Sequence, residues 1–363
     1  MHRILLPILL PVLCLLQCLQ PVSATAFDRV QQSSLHSARA ERGLLLDLIE
    51  VPGRQRLLAV GEQGSILYSD DRGQNWAQAK TPVSVLLTAV QMVSPNRGWA
   101  VGHDGVILRT DDGGESWQLQ VSGQTLLQRQ QAALEEVLQT PAVQADPGRQ
   151  DELQWQLEDI HALLDEGAMP TLLNLLFLDE QRGFVIGAYG TLFTTRDGGQ
   201  SWQSLGHRLP NPDRMHLNTL LLTDTGRLLL AGEAGLLLYS DDLGLSWQAA
   251  ESPYDGSFFA LVQADRLYLL GLRGHLFSSA DGIRWQPEPV PTRASLNGAV
   301  VQGEMLFLLG QGGVVLRRQG ASFVPVQPVP RYSYTAGVLL DQRLLLAGEG
   351  GIQSIELQQG GGQ

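Results

Sequence analysis

Seven glycine turns roughly 40 residues apart, short leucine-rich and β-branched runs between them, and repeated aspartate–glycine turns ahead of a tryptophan predict an all-β chain. The architecture they imply is a seven-bladed β-propeller with four-stranded blades and one inserted α-helical hairpin. No repeat unit offers ten residues of helical periodicity, which argues against an α/β solenoid.

The N-terminus reads as a leader. Met1-His2-Arg3 is a short basic region, Ile4 to Leu19 is an apolar run broken by Pro7 and Pro11, and Ala24-Thr25-Ala26 is a small-residue cleavage signal. Residues 1–26 are therefore expected to be a bacterial signal peptide and residues 27–363 the exported, periplasmic propeller. No membrane span is expected after cleavage, because the leader's apolar run is short and no later segment approaches spanning length. Both cysteines, Cys14 and Cys18, fall in the leader, so disulfides, thiolate–metal sites and a cysteine nucleophile are excluded from the mature chain. A lipid anchor on Cys18 is disfavoured by Gln17, where a small residue is wanted. The formal charge of −12 repels phosphate backbones and makes nucleic acid a poor partner.

The glycine turns are GEQG at 61, GHDG at 102, GAYG at 187, GEAG at 232, GLRG at 271, GQGG at 310 and GEGG at 348. In each unit an apolar run, a polar turn and a second apolar run precede the glycine turn, and a third run follows. These are strands a, b and c, with the glycine turn between b and c. The c–d turn carries SDDRGQNW (69–76), TDDGGESW (110–117), TRDGGQSW (195–202) and SDDLGLSW (240–247), with a shorter copy, SADGIRW (279–285), in blade 5. This is the Asp-box: Asp71, Asp112, Asp197, Asp242 and Asp281 fold back on their own turns, glycine takes the left-handed conformation, and tryptophan fills the gap between sheets. Their role is structural.

On these residues the chain resembles a known family. NRGWAVGHDGVILRTDDGGESW (96–117) and QRGFVIGAYGTLFTTRDGGQSW (181–202) look like repeats of the photosystem II assembly and stability factors, within the wider bacterial-neuraminidase-repeat group. The resemblance spans nearly all of the mature chain. It implies an exported, non-catalytic propeller that binds intermediates of a membrane-protein complex.

Between blades 2 and 3, residues 124–166 depart from the repeat. Leu127, Leu134 and Leu138, then Leu153, Leu157, Ile160 and Leu164, recur at helical spacing around a Pro/Gly-containing loop. Two amphipathic helices result. They either zip their own stripes together and project into solvent, or serve as a docking arm, with Trp155 left exposed.

Strand order places the glycine turns and the insert on one face and the Asp-boxes on the other. Around the channel mouth of the first face stand Glu62, Gln63, His103, Asp104, Tyr189, Glu233, Arg273, Gln311 and Glu349, a candidate partner-binding ring. A sialidase-type hydrolase needs three arginines there to clamp a carboxylate, and only Arg273 is present. Acid pairs for a glycosidase exist, as in any acidic ring. The histidines lack metal-ligand spacing, and no phosphate or dinucleotide fingerprint occurs. A non-enzymatic binder without cofactor or metal is expected, its partner a membrane-protein complex or, alternatively, a transporter that keeps it as a periplasmic subunit.

Two further expectations concern assembly. The last unit has strands a to c and then QQGGGQ, so the segment from Asp28 to about Ala40 is expected to supply the missing fourth strand. Arg56, Arg97, Arg182, Arg227, Arg266 and Arg343 stand five residues before six glycine turns, fifteen before the Asp-box position. They are expected to reach an Asp-box turn of their own or the next blade; the competing reading is a basic, partner-facing rim.

Overall fold

A computed structural model describes residues 28–357; the predicted leader and its cysteines lie outside them. Among the described residues seven antiparallel sheets follow one another, six of four strands and the last of three. In blade 1 the strands are Leu45–Glu50, Leu57–Gly61, Ile66–Ser69 and Ala77–Gln78. The a strands neighbour one another around the ring, and that of blade 1 packs beside that of blade 7. Strand b is covered by the blades on both sides. It is therefore buried at every position in LLAVG (57–61), GWAVG (98–102) and LLLAG (228–232), and reads as a continuous apolar run. Among the described residues no helix is long and apolar enough to cross a membrane.

The G-x-x-G turn has two physical causes, one for each glycine. After the first glycine the chain donates back to the residue entering strand a: Glu62 N to Leu44 O, His103 N to Leu86 O, and likewise in all seven blades, at 2.9–3.1 Å. A Cβ on Gly61, Gly187 or Gly232 would stand 2.0, 2.2 or 2.1 Å from that same carbonyl oxygen. The closing glycine is left-handed, as at Gly64 (φ +68°), and its Cβ would meet Val83 O, in the connection to the next blade, at 2.0 Å. The turn thus locks strand b to its own strand a and to the neighbouring blade.

Ring closure differs from the expected added strand. Residues 28–39 form no strand; they run along blade 1, where Ser34 N donates to Thr81 O and Ser84 N to Arg29 O. Asp28, Arg29, Gln31, His36 and Arg39 are poor strand formers, which accounts for the difference. Glu41 and Arg42 instead occupy the place that a blade-to-blade connection takes elsewhere. Ile352 N donates to Glu41 O at 2.9 Å, and a Cβ on Gly351 would meet that oxygen at 2.0 Å. Leu45, Leu48 and Leu57 then share a core with Ala336, Val338 and Leu345, and the ring closes by packing.

The insert forms α1 (Gly123–Leu138), a short α2 (Pro141–Gln144) and α3 (Pro147–Glu166). Ser122 and Asp146 cap α1 and α3, accepting from the amides of Thr125 and Arg149, and Gly167 ends α3 in the left-handed conformation. The expected stripes pack together: Leu127, Leu134, Leu138, Leu153, Leu157 and Ile160 are buried in one cluster with Val143. The hairpin does not project into solvent. It lies against blade 3, with Arg129 Nη1 donating to Trp202 O (3.1 Å) and Arg149 to His207 O. Leu126 joins the core between blades 2 and 3. Two buried faces, one internal and one toward the blade, explain this position.

A truncation series tests the closure. A chain beginning at Ser37 should keep the Glu41–Ile352 clamp and close its ring, whereas one beginning at Leu44 should melt about 1–2 °C lower than it, the shift expected of a lost contact near 1 kcal/mol in a chain of this size. Equal melting temperatures for the two would show that the clamp contributes nothing.

Candidate protein-binding faces

On the glycine-turn face three carboxylates of the ring are engaged by backbone. Glu62 accepts from Leu44 N (3.1 Å), Glu233 from His216 N (3.2 Å) and Glu349 from Ser333 N (3.0 Å). These carboxylates cap backbone amides that would otherwise lack partners where strand a begins. Asp104 pairs with Arg29 at 3.5 Å, and His103 is half-buried beside it. Gln63, Tyr189, Arg273 and Gln311 remain exposed. Tyr189 packs edge-on to His216 at 5.1 Å between centroids. Gln63, Asp104, Tyr189 and Arg273 all sit at φ near +55°. Among the described residues no group of three or more His, Cys, Asp or Glu able to hold a metal is found.

On the opposite face the Asp-boxes close on themselves. Asp71 accepts from the amides of Gln74 (3.0 Å) and Asn75 (2.8 Å) and from the Ser69 hydroxyl (2.8 Å), and the other four acids repeat the pattern with their own turns. Amide and side-chain donation from Asn75 brings Asp71 down to about 2. The Ser246 hydroxyl and amide do the same for Asp242. Each tryptophan packs into the blade before it: Trp117 of blade 2 sits with Leu58 and Val60 of blade 1, and Trp202 of blade 3 with Ala89 and Val101 of blade 2.

The rim arginines reach these turns but do not take the Asp-box acid itself. Arg56 holds the preceding residue, Asp70, with two bonds of 2.6 and 2.7 Å, and crosses to blade 2 at Gly113 O (3.0 Å) and Glu115 (3.1 Å). Arg227 holds Asp241 at 2.6 and 3.1 Å and crosses to Asp281 O at 2.7 Å. Arg97 joins Asp111 (2.8 Å) to Glu180 of blade 3 (2.9 Å), and Arg343 reaches Arg72 O of blade 1. The Asp-box acids are already committed to their own backbone, so the outward-facing neighbour takes the guanidinium. Where that neighbour is Arg196 or Ala280 the pair is absent: Arg182 turns to Asp179 at 2.8 Å, and Arg266 stands 3.7 Å from Asp265. The doubled Asp in SDD and TDD was the legible signal. Since Arg56 is only 5% exposed, Arg56→Ala should cost about 2–3 kcal/mol in denaturant unfolding, and Arg182→Ala, at an exposed pair, under about 0.5 kcal/mol. Equal costs would contradict the inter-blade role.

The a strands line a central channel of about 600 Å³ whose one charged lining residue among the described residues is Asp47. Its carboxylate accepts from Leu48 N (2.8 Å) and, across the blade boundary, from Val90 N (2.9 Å). Enclosure by protein raises it from 3.8 to about 6, against these two amides. A carboxylate raised in the folded state binds protons there that the unfolded chain releases, so stability falls as pH climbs from about 4 to about 6. Asn174 holds the corresponding place in blade 3 and accepts from Leu175 N at 2.8 Å. Asp47→Asn should therefore fold and gain about 1–2 kcal/mol over the native chain at pH 7, the gain vanishing below pH 4. Denaturant unfolding at the two pH values checks this, and a loss at pH 7 would contradict it.

A groove of about 590 Å³ lies between blades 3 and 4 on the Asp-box face. Leu178, Phe184 and Leu205 form its apolar lining, Arg182, Arg196 and Arg208 its basic edge, and Leu243 and Leu245 its far lip. The two leucines lie in the Asp-box turn of blade 4 and are 43% and 57% exposed. Leu243 has φ +56°, at the place of Gly113 and Gly198 in blades 2 and 3.

Sheet order and rim chemistry define an Asp-box seven-bladed propeller whose turns hold its blades together. The model of the family described as photosynthesis system II assembly factor YCF48 matches residues 22–111 and 149–254, more than half of the sequence, and the chain belongs to that family. A curated relative, the chloroplastic photosystem II stability/assembly factor HCF136 of Arabidopsis thaliana, is 29% identical over 106 residues, 28% of this chain and 25% of the relative. The match thus spans about a quarter of that relative's length. Among solved structures, YCF48 bound to a D1 peptide superposes with a TM-score of 0.60 at 15% identity, covering 88% of this chain and 94% of that one. YCF48 from Cyanidioschyzon merolae gives 0.60 at 13% identity, covering 87% and 96%. At these identities the structures bear on the fold alone.

Proposed function

We propose that this chain is an exported, periplasmic assembly factor that holds an extended segment of a membrane-complex subunit in the groove between blades 3 and 4. Membership of an assembly-factor family supports the general role, and a family structure with a bound peptide supports a peptide as ligand. The single observation that carries the site is Leu243. A leucine there has both a left-handed backbone, which costs roughly 1 kcal/mol, and an exposed apolar side chain, and neither helps the turn to fold. Glycine fills the same place in blades 2 and 3 without that cost, and in blade 1 Arg72 (φ +62°) bears it while its side chain pairs with Asp341, whereas Leu243 is apolar and exposed. Costs of this kind concentrate where a surface binds something. Arg196 and Arg208 supply forked donors for carboxylates or backbone carbonyls of the bound segment, while Arg182 is engaged by Asp179. This face is preferred to the glycine-turn ring, whose glutamates are occupied by backbone amides.

The test is isolation of the tagged full-length chain from solubilised envelope, followed by native separation of complexes. An assembly factor accompanies partial complexes substoichiometrically and is missing from the finished one. Recovery at one copy per finished complex would instead establish the stable-subunit reading. Replacing both leucines, Leu243→Gly with Leu245→Ser, should leave the melting temperature unchanged or higher and weaken capture at least about tenfold. Undiminished capture would place the client elsewhere.

A further inference from the structure

The insert carries nine carboxylates against two arginines, more than half of the chain's formal net charge of −12. Both arginines turn toward the propeller: Arg129 donates to Trp202 O and Arg149 to His207 O. The exposed side of the hairpin is consequently left to its acids. In the middle of that side stands Trp155, 74% exposed, although the core of the hairpin is complete without it.

The helical neighbours of Trp155 one turn to either side are all acidic. Asp151 and Glu152 lie one turn before it, Glu158 and Asp159 one turn after. Glu152 is paired with Arg149 at 2.6 Å and Asp159 with Arg214 at 2.5 Å, while Asp151 and Glu158 are exposed. Beside the indole runs a cleft of about 290 Å³, bounded across from α3 by Pro212 and Arg214 of the loop after blade 3. An indole with Asp151 and an apolar proline wall in the same cleft, and the exposed Glu158 one turn further along the helix, suits the ammonium or guanidinium of a long side chain, whose stem lies against the ring.

We infer that the outer face of α3 is a docking surface for a basic segment of a protein partner, with a lysine or arginine seated on Trp155 between Asp151 and Glu158. Charge complementarity selects this occupant. The same acids repel an anionic lipid surface, and they repel the equivalent face of a second copy. The surface is separate from the groove between blades 3 and 4, on the other face of the ring, so the two succeed or fail independently.

The probe is a capped basic pentapeptide, acetyl-Lys-Lys-Leu-Lys-Lys-amide, titrated into the full chain by calorimetry at 50 and 500 mM salt, with the all-glutamate counterpart as control. The basic peptide should bind, the acidic one should not, and high salt should weaken the interaction. Trp155→Ala should reduce affinity about tenfold, as should Asp151→Asn combined with Glu158→Gln, with melting temperatures unchanged. No binding of the basic peptide, or equal binding by Trp155→Ala, would overturn the inference. So would a Trp155-dependent dimer in sedimentation, which would assign the face to a second copy.

Discussion

The close approach of backbone to backbone at the glycine turns governs this fold. At each blade the amide after the first glycine donates to the carbonyl that leads into strand a, and at the closing glycine the chain lies against the connection to the next blade. A methyl group at either place overlaps a carbonyl oxygen in most blades. Seven such contacts fix the distance between the inner strands, and the channel, the order of blades and the register of each a–b pair follow from them. Even closure obeys the same rule. Gly351 needs a backbone to lie against, and Glu41 provides it from the other end of the chain.

A second set of contacts operates on the opposite rim. Asp-box acids hold their own turns, tryptophans fill the preceding blade, and arginines cross to the following one. Because these contacts repeat, single turns are free to diverge while the ring survives. Blade 4 uses that freedom to display Leu243 and Leu245. The connection between blades 2 and 3 uses it to carry an acidic hairpin with an exposed tryptophan. The two surfaces differ in sign, a basic-edged apolar groove and an acidic-edged indole.

Most of the architecture was legible in the sequence, because period, glycine turns and Asp-boxes are local signals with one physical meaning each. The hairpin was legible for the same reason, through the spacing of Leu127, Leu134, Leu153 and Leu157. Its resting place against blade 3 was not, since it depends on tertiary partners of Arg129 and Arg149 that no spacing reveals. Three details of the rims were also hidden. Glu62, Glu233 and Glu349 looked like a free acidic ring, but backbone amides lie within their reach. The rim arginines select Asp70, Asp111 and Asp241, one residue before the Asp-box acid, because the latter's oxygens are already occupied. Among the described residues blade 7 closes on blade 1 without a fourth strand, through packing between residues distant in the chain, which a repeat count does not register.

The governing role of close approach is tested most directly by comparing Gly61→Ala with Gly226→Ala in denaturant unfolding. Gly61 has an extended backbone that any residue adopts, and the backbone entering strand a stands in the way, with Leu44 O 2.0 Å and Leu45 Cα 2.8 Å from an added Cβ. Gly226 is left-handed (φ +84°) with nothing within 4 Å. If approach of backbones governs the fold, Gly61→Ala will lose at least about 3 kcal/mol or fail to fold, and Gly226→Ala will lose about 1 kcal/mol from conformation alone. A Gly61→Ala chain as stable as Gly226→Ala, or more so, would contradict the account.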